Sequence, residues 1–449
     1  MQSTPLTPPP RNLVLASSSK SWSTITRMLG LVVLVAFMSQ LAAIIAIAPL
    51  FNEPGMAFGG AICMIPFVLI FFFVRRDKLL DVHLITPDSN GRTDHMLPGN
   101  RVLRSPQPAI ASRHLIRDSP PLEIPKPSIL WMLFFGGVII SIAGFIPVLI
   151  YPDNSMAWIL AILIAIPALV VGFATPAFAW WSFSTTHLRL KTSRHAGEGM
   201  LIAGMLSTIP AIIINSALFP VLISTIGISD EQIAELLILT ISAPVGEELC
   251  KAAAVLACSR FINSAKRGFQ VGCAVGLGFA IVENLFYISS SFGGGRFVAI
   301  TYGMTSVLRG IGSIPGHALW TGISGYAIGA HRSRRLVGSQ QSENWVLFDQ
   351  ETGRRISATG ESLVKPPNWL IINPEKAWNL PRDPWIAILF AIIGHAIWNG
   401  SSWLSIFVGE KVAGDAGIIV AMISWTLVLL IALWIVGRNV LASVFLHNS

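Results

Sequence analysis

The stretch ILWMLFFGGVIISIAGFIPVLI, residues 129–150, carries no ionisable side chain. As a helix rising about 1.5 Å per residue it spans roughly 33 Å, enough to cross a hydrocarbon core about 30 Å thick. No water reaches the backbone N–H and C=O groups there, so the run must satisfy them within itself, and a helix does so. Working outward, similar runs lie at Met28–Leu50, Met56–Val74, Met156–Trp181 and Met200–Ile226. Further runs follow at Ile233–Ser259, Phe269–Ser290, Thr305–Ala330, Pro384–Phe407 and Ala416–Val436. The pattern predicts an all-α fold, a polytopic transmembrane bundle of about ten helices. The first run ends on an Ala-Ile-Ala triplet resembling a cleavage site. Pro49 follows it and the run is too long for a signal h-region, so it reads as a retained helix.

Composition agrees. Of 449 residues 53% are hydrophobic and 12% charged, against roughly 25% charged in soluble domains. The net charge of +8 resides in loops that flank the apolar runs, without the aromatic interleaving of a strand-binding surface. No nucleic-acid partner is expected. Cys63, Cys250, Cys258 and Cys273 fall inside apolar runs, at spacings that fit neither a disulfide framework nor a metal knuckle.

The loops sort by charge. Arg11, Lys20 and Arg27 precede the first run, and Arg75 to Lys126 holds a basic stretch after the second. Basic clusters recur at Arg189–Arg194, Arg260–Arg267 and Arg332–Arg335, while the alternate loops are short and neutral to acidic, with Arg296 and Lys411 as exceptions. The positive-inside rule then places both termini in the cytoplasm of a multi-pass protein of the inner or plasma membrane. The expected organisation is a disordered tail over 1–27 and four N-terminal helices over 28–181 with a basic, largely disordered loop over 75–128. A polar-bearing core follows over 200–437 with a strand-containing insert over 331–383, and a tail over 438–449.

The first five runs are almost free of charge; the next four are not. An ionisable residue near mid-bilayer costs at least roughly 2.5–3.5 kcal/mol, so each is a functional candidate. The sixth run carries Glu247, Glu248 and Lys251, and the seventh Phe279, Glu283 and Asn284. The eighth carries His317 after Pro315-Gly316, and the ninth His395 and Asn399. Glu247 and Lys251, Phe279 and Glu283, and His395 and Asn399 are each four apart, which puts each pair on one helix face. Gly268, Gly272 and Gly276 recur at the spacing that lets helices approach closely, and Pro315-Gly316 should loosen the hydrogen-bond ladder before His317. Carboxylates, imidazoles and an amide gathered in one polar site are the parts for activating water. Two His and a Glu could equally hold Zn²⁺ with a position open; both arrangements lead to hydrolysis.

At these residues the chain resembles the PrsW family of intramembrane proteases, within the wider group that includes the type II CAAX prenyl proteases. The family's motifs stand here as Glu247-Glu248-x-x-Lys251, Phe279-x-x-x-Glu283-Asn284, His317 and His395-x-x-x-Asn399, in family order and on separate predicted helices. The resemblance covers roughly residues 200–437. It implies proteolysis of a membrane-anchored protein substrate, such as an anti-sigma factor, within or beside the bilayer. It also implies Glu247 or Glu248 as general base, helped by Glu283 or His317, with His395 and Asn399 serving the oxyanion. The family is filed among metallopeptidases, with zinc held by Glu283, His317 and His395; the CAAX relatives resemble glutamate-dependent enzymes without an obligatory metal.

Competing readings are a proton- or ion-coupled transporter and a non-catalytic membrane scaffold. Transporters often show inverted repeats with broken helices in both halves, whereas the polar residues here cluster in one half. Arg309 reads as a side chain snorkelling to the outer interface, and Asn215 as a helix–helix hydrogen bond.

Overall fold

The computed structural model describes residues 20–76, 79–97, 101–118, 120–188, 190, 192–339, 347–348, 355–356 and 377–446. Among them, seven helical stretches are long and apolar enough to cross a membrane. They are Ser21–Phe51, Pro54–Val74, Pro127–Ile150, Ser155–Leu188, Arg194–Thr225, Ala265–Ser333 and Pro384–Leu446. The molecule is thus a helical, multi-pass membrane bundle.

The helices are α1 (Ser21–Ile47), α2 (Pro54–Val74), α3 (Pro127–Ile150), α4 (Ser155–Phe173), α5 (Thr175–Leu188), α6 (Arg194–Ile213) and α7 (Phe219–Thr225). After them come α8 (Glu231–Leu237), α9 (Ala243–Ala257), α10 (Ala265–Ser291), α11 (Val298–Leu308), α12 (Ile314–Ser339) and α13 (Pro384–Leu446). The chain reverses between α10 and α11 at Gly295 (φ 55°) and within α13 at Gly414 (φ 56°), both in the left-handed region that glycine enters without a Cβ penalty. Across the second reversal Trp425 Nε1 donates to Ser401 Oγ at 3.0 Å, so α13 is a helical hairpin.

Helix α10 is the centre. A Cβ at Gly268, Gly272 or Gly276 would overlap backbone of Gly325, Thr321 or His317 in α12. On the other flank, one at Gly278 would overlap Leu201 in α6. The glycines therefore let three backbones touch, as their spacing predicts, and α10 is buried almost end to end.

Three π-helical turns interrupt the helices at Ile214–Leu218, Ile238–Ser242 and Arg309–Ser313. They have one cause. The N–H groups of Phe219, Ala243 and Ile314 bond the carbonyl five residues back, and the next residue in each case is a proline, Pro220, Pro244 or Pro315. A proline has no N–H to offer and its ring crowds the preceding turn, so the ladder widens there. At the third and second turns the carbonyl left over finds a side chain: Trp180 Nε1 donates to Gly310 O at 2.9 Å, and Asn399 Nδ2 to Leu239 O at 3.3 Å. The loosening expected before His317 is the third of these turns. Asn215 accepts from Ser242 Oγ at 2.9 Å, tying the first turn to the second and making the expected helix–helix bond.

The structure corrects several expectations. The loop over 75–128, read as disordered, contains an antiparallel hairpin, β1 (Leu79–Leu97) with β2 (Arg101–Arg117). Opposite charges pair across it, Arg104 with Asp94 at 2.8 Å and Arg113 with Asp81 at 2.7 Å, the kind of cross-strand pair that favours a ladder. The guanidinium hydrogen bonds hold both carboxyls below their usual range. Within the expected insert α12 runs on to Ser339, and β3 (Leu347–Phe348) pairs with β4 (Arg355–Ile356); the second strand expected there, Trp369–Ile372, lies outside the described residues. Helix α1 begins at Ser21 inside the expected tail, and α13 runs on to Leu446. The fourth expected helix breaks at Ala174, ahead of Pro176. The N-terminal helices form one apolar core with the rest, Tyr302 donating to Ala168 O at 2.9 Å.

Candidate active site

Four helices bring the polar residues together. On α9, Lys251 is fully buried with its ammonium 2.7 Å from Glu248 Oε1, 3.2 Å from Glu247 Oε2 and 2.8 Å from His317 Nδ1 of α12. An ammonium has three hydrogens and no lone pair, so all three are spent. His317 must accept at Nδ1, and its proton then sits on Nε2, which faces Glu283 Oε2 of α10 at 2.7 Å. The network thereby assigns the tautomer. Phe279, one turn before Glu283, closes the site from the side, its ring centroid 4.0 Å from Lys251 Nζ.

His395 of α13 completes the cluster. Its Nδ1 lies 3.1 Å from Glu248 Oε1, which as a carboxylate can only accept, so Nδ1 carries the proton and the Nε2 lone pair is free. Nε2 lies 3.9 Å from Glu247 Oε2, too far for a hydrogen bond. Trp320 stacks on the imidazole at 5.1 Å and 13°, fixing its plane.

Arg309 was not expected here. It turns inward from the third π turn. Its Nη2 is 2.6 Å from Glu283 Oε2 and 3.0 Å from Ser313 Oγ, and its Nε is 2.6 Å from Asn284 Oδ1. Its guanidinium lies over the Tyr287 ring at 3.8 Å. The signal was a charged residue inside an apolar run; reading it as a snorkelling end group hid its partners one turn along α10. The chain of groups is thus Arg309, Glu283, His317, Lys251, the Glu247–Glu248 pair and His395, three carboxylates against two fixed cations. Asn284 is fully buried, and its Nδ2 has no partner among the described residues. Asn399, expected beside His395, instead has its Nδ2 on Leu239 O.

Glu247, His317 and His395 each offer one ligand atom within 4.8 Å of the others. Three such ligands with a position open is the pattern of catalytic zinc, and Glu248 on His395 Nδ1 is the outer carboxylate that orients a ligating imidazole. The donor set fits a divalent cation in kind and spacing. His317 would have to free one nitrogen from Lys251 or Glu283. Glu283, expected as a ligand, lies instead with Arg309 and His317; Glu247 takes its place beside the histidines.

Buried acids, a lysine and two imidazoles thus converge where four helices of the membrane bundle meet. Residues 195–347 match the sequence model of the PrsW family intramembrane metalloprotease, the family the motifs resemble. The match takes in Glu247, Glu248, Lys251, Phe279, Glu283, Asn284 and His317 and ends before His395, and it supports an intramembrane protease. No curated protein and no solved structure matches the chain.

Proposed function

We propose that the chain cleaves a peptide bond of a membrane-anchored protein, a regulator of the anti-sigma-factor type, using water activated between Glu247 and His395. The supporting observation is the 3.9 Å separation of Glu247 Oε2 from a His395 Nε2 whose other nitrogen is held by Glu248. A polar separation of that size suits one bridging water. Its hydrogens point to Glu247 and to the Nε2 lone pair, leaving an oxygen lone pair for the scissile carbonyl. Glu247 takes the proton as base and returns it to the departing amine as acid. Lys251, 3.2 Å from Glu247 Oε2, balances the charge that persists there. Glu248 positions both Lys251 and His395 and does not itself meet substrate.

Oxyanion stabilisation falls to a group with N–H to spare. Asn399 gives one of its two amide hydrogens to Leu239 O, whereas Asn284 is held by Arg309 through Oδ1 and keeps both hydrogens of Nδ2. With two hydrogens to give against one, Asn284 takes the role expected of Asn399. A divalent cation such as zinc on Glu247, His317 and His395 would supply Lewis-acid polarisation of water and carbonyl.

The topology belongs to the same reading. Counting Glu231–Ala257 as a pass, and each stretch containing a reversal as two, gives the expected ten with both termini cytoplasmic. Purified Glu247→Gln, assayed on a membrane-anchored substrate, should lose about 100-fold or more in kcat with its unfolding midpoint retained, and His395→Ala should behave alike. Full cleavage by either variant sinks the assignment. Elemental analysis of wild type against His317→Ala with His395→Ala decides the metal: stoichiometric zinc lost in the double variant makes it a metallopeptidase, and an active metal-free preparation a glutamate peptidase.

A further inference from the structure

Away from this site, three guanidiniums surround one buried carboxylate. Glu198 of α6 is 2% exposed, with Arg27 Nε of α1 at 2.9 Å, Arg75 Nη1 at the end of α2 at 3.2 Å and Arg194 Nε at 3.7 Å. Arg27 Nη2 also donates to Val74 O at 2.9 Å. One carboxylate against three guanidiniums leaves two positive charges. Each guanidinium carries five N–H donors, and among the described residues the three make three hydrogen bonds between them. Their side chains are 31%, 17% and 25% exposed, so the spare donors reach the surface.

The position selects the ligand. Arg27 lies near the start of α1, Arg75 caps the end of α2 and Arg194 opens α6, so three helix ends share one level. Trp22, half exposed one turn before Arg27, is the residue type that sits at the headgroup boundary. Beside the cluster runs α2, in which Gly60 alone is buried and Phe72 and Phe73 stand 67% and 78% exposed. A phosphate on the arginines would have an apolar wall beneath it. We propose that Arg27, Arg75 and Arg194 bind the phosphodiester of an anionic phospholipid, whose acyl chains lie along α2. Basic pockets between helix ends are where such headgroups dock. The lipid would tie α2, which is almost unburied, to α6 and so to the helices that carry the active site.

The test uses the full chain in dodecylmaltoside, following the unfolding midpoint during titration with phosphatidylglycerol. Wild type should show a saturable rise that weakens as salt shortens the screening length. Arg194→Gln, whose side chain makes no hydrogen bond among the described residues, should weaken the apparent affinity about fivefold, and adding Arg75→Gln about fivefold more. Phosphatidylcholine and inorganic phosphate are the other arms. An equal rise with phosphatidylcholine, or an undiminished response in Arg194→Gln, overturns the site. An equal rise with inorganic phosphate alone overturns the lipid assignment.

Discussion

Lys251 donates every ammonium hydrogen it has, to two carboxylates of its own helix and an imidazole of another. Replacing it by methionine leaves Glu247 and Glu248 facing each other without a cation. Breaking a buried pair from one side costs about 3–5 kcal/mol, so Lys251→Met should lower the unfolding midpoint in detergent sharply; an unchanged midpoint would mean the carboxylates do not need it. Arg309 acts through others, holding Glu283 and Asn284. In Arg309→Gln we expect kcat to fall up to about 100-fold with KM nearly constant, and Arg309→Lys to restore part of it. A change in KM alone would make Arg309 a substrate contact. Four motif-bearing helices were legible from the sequence because a charge inside an apolar run costs too much to be idle. The partner of Arg309 was not, since the same cost is avoided by snorkelling or by pairing, and only packing decides which.

The π turns show where the elements escape a reading by periodicity. Each proline was visible, but whether it kinks a helix, ends it or widens one turn depends on which side chain takes the orphaned carbonyl. Asn399 takes that of Leu239. Asn399→Ala should therefore cost about 0.5–1.5 kcal/mol for the hydrogen bond lost at a half-buried carbonyl, read as a lower midpoint, with kcat per folded molecule within a few-fold of wild type. A loss as deep as that of Glu247→Gln would return Asn399 to the chemistry. Gly276 meets the backbone of His317 itself. Gly276→Ala must push α12 off α10, costing about 1–3 kcal/mol and separating His317 from Glu283, so activity should fall further than stability. Equal activity would show that the His317–Glu283 contact is dispensable. The β1–β2 hairpin was hidden by its composition: Pro, Ser and Arg read as disorder, and the opposed Asp–Arg pairs become visible only once the register is known.

For the whole molecule, reporter fusions at residues 1 and 449 should give cytoplasmic signals at both ends; opposite signals would remove one pass from the proposed ten. The N-terminal helices lay outside the motifs, and nothing in their apolar sequences said what they pack against, because lipid and protein are equally good neighbours for a leucine. They share a core with α6, α10 and α11, so they belong to the body that holds the site. Glu231–Ala257 is not among the stretches apolar enough to cross a membrane unaided. It carries Glu247, Glu248 and Lys251, each costing at least roughly 2.5–3.5 kcal/mol at mid-bilayer, and it leaves the ribosome before His317, Arg309 and His395 have been translated. During biosynthesis this segment has no reason to stay in lipid until α10, α12 and α13 arrive to receive it. On the proposed topology its insertion should be late and collective. A chain truncated before residue 395 is thus expected to leave Glu231–Ala257 outside the bilayer, where a cysteine placed in that segment would be labelled by a membrane-impermeant reagent and the same cysteine in the full chain would not.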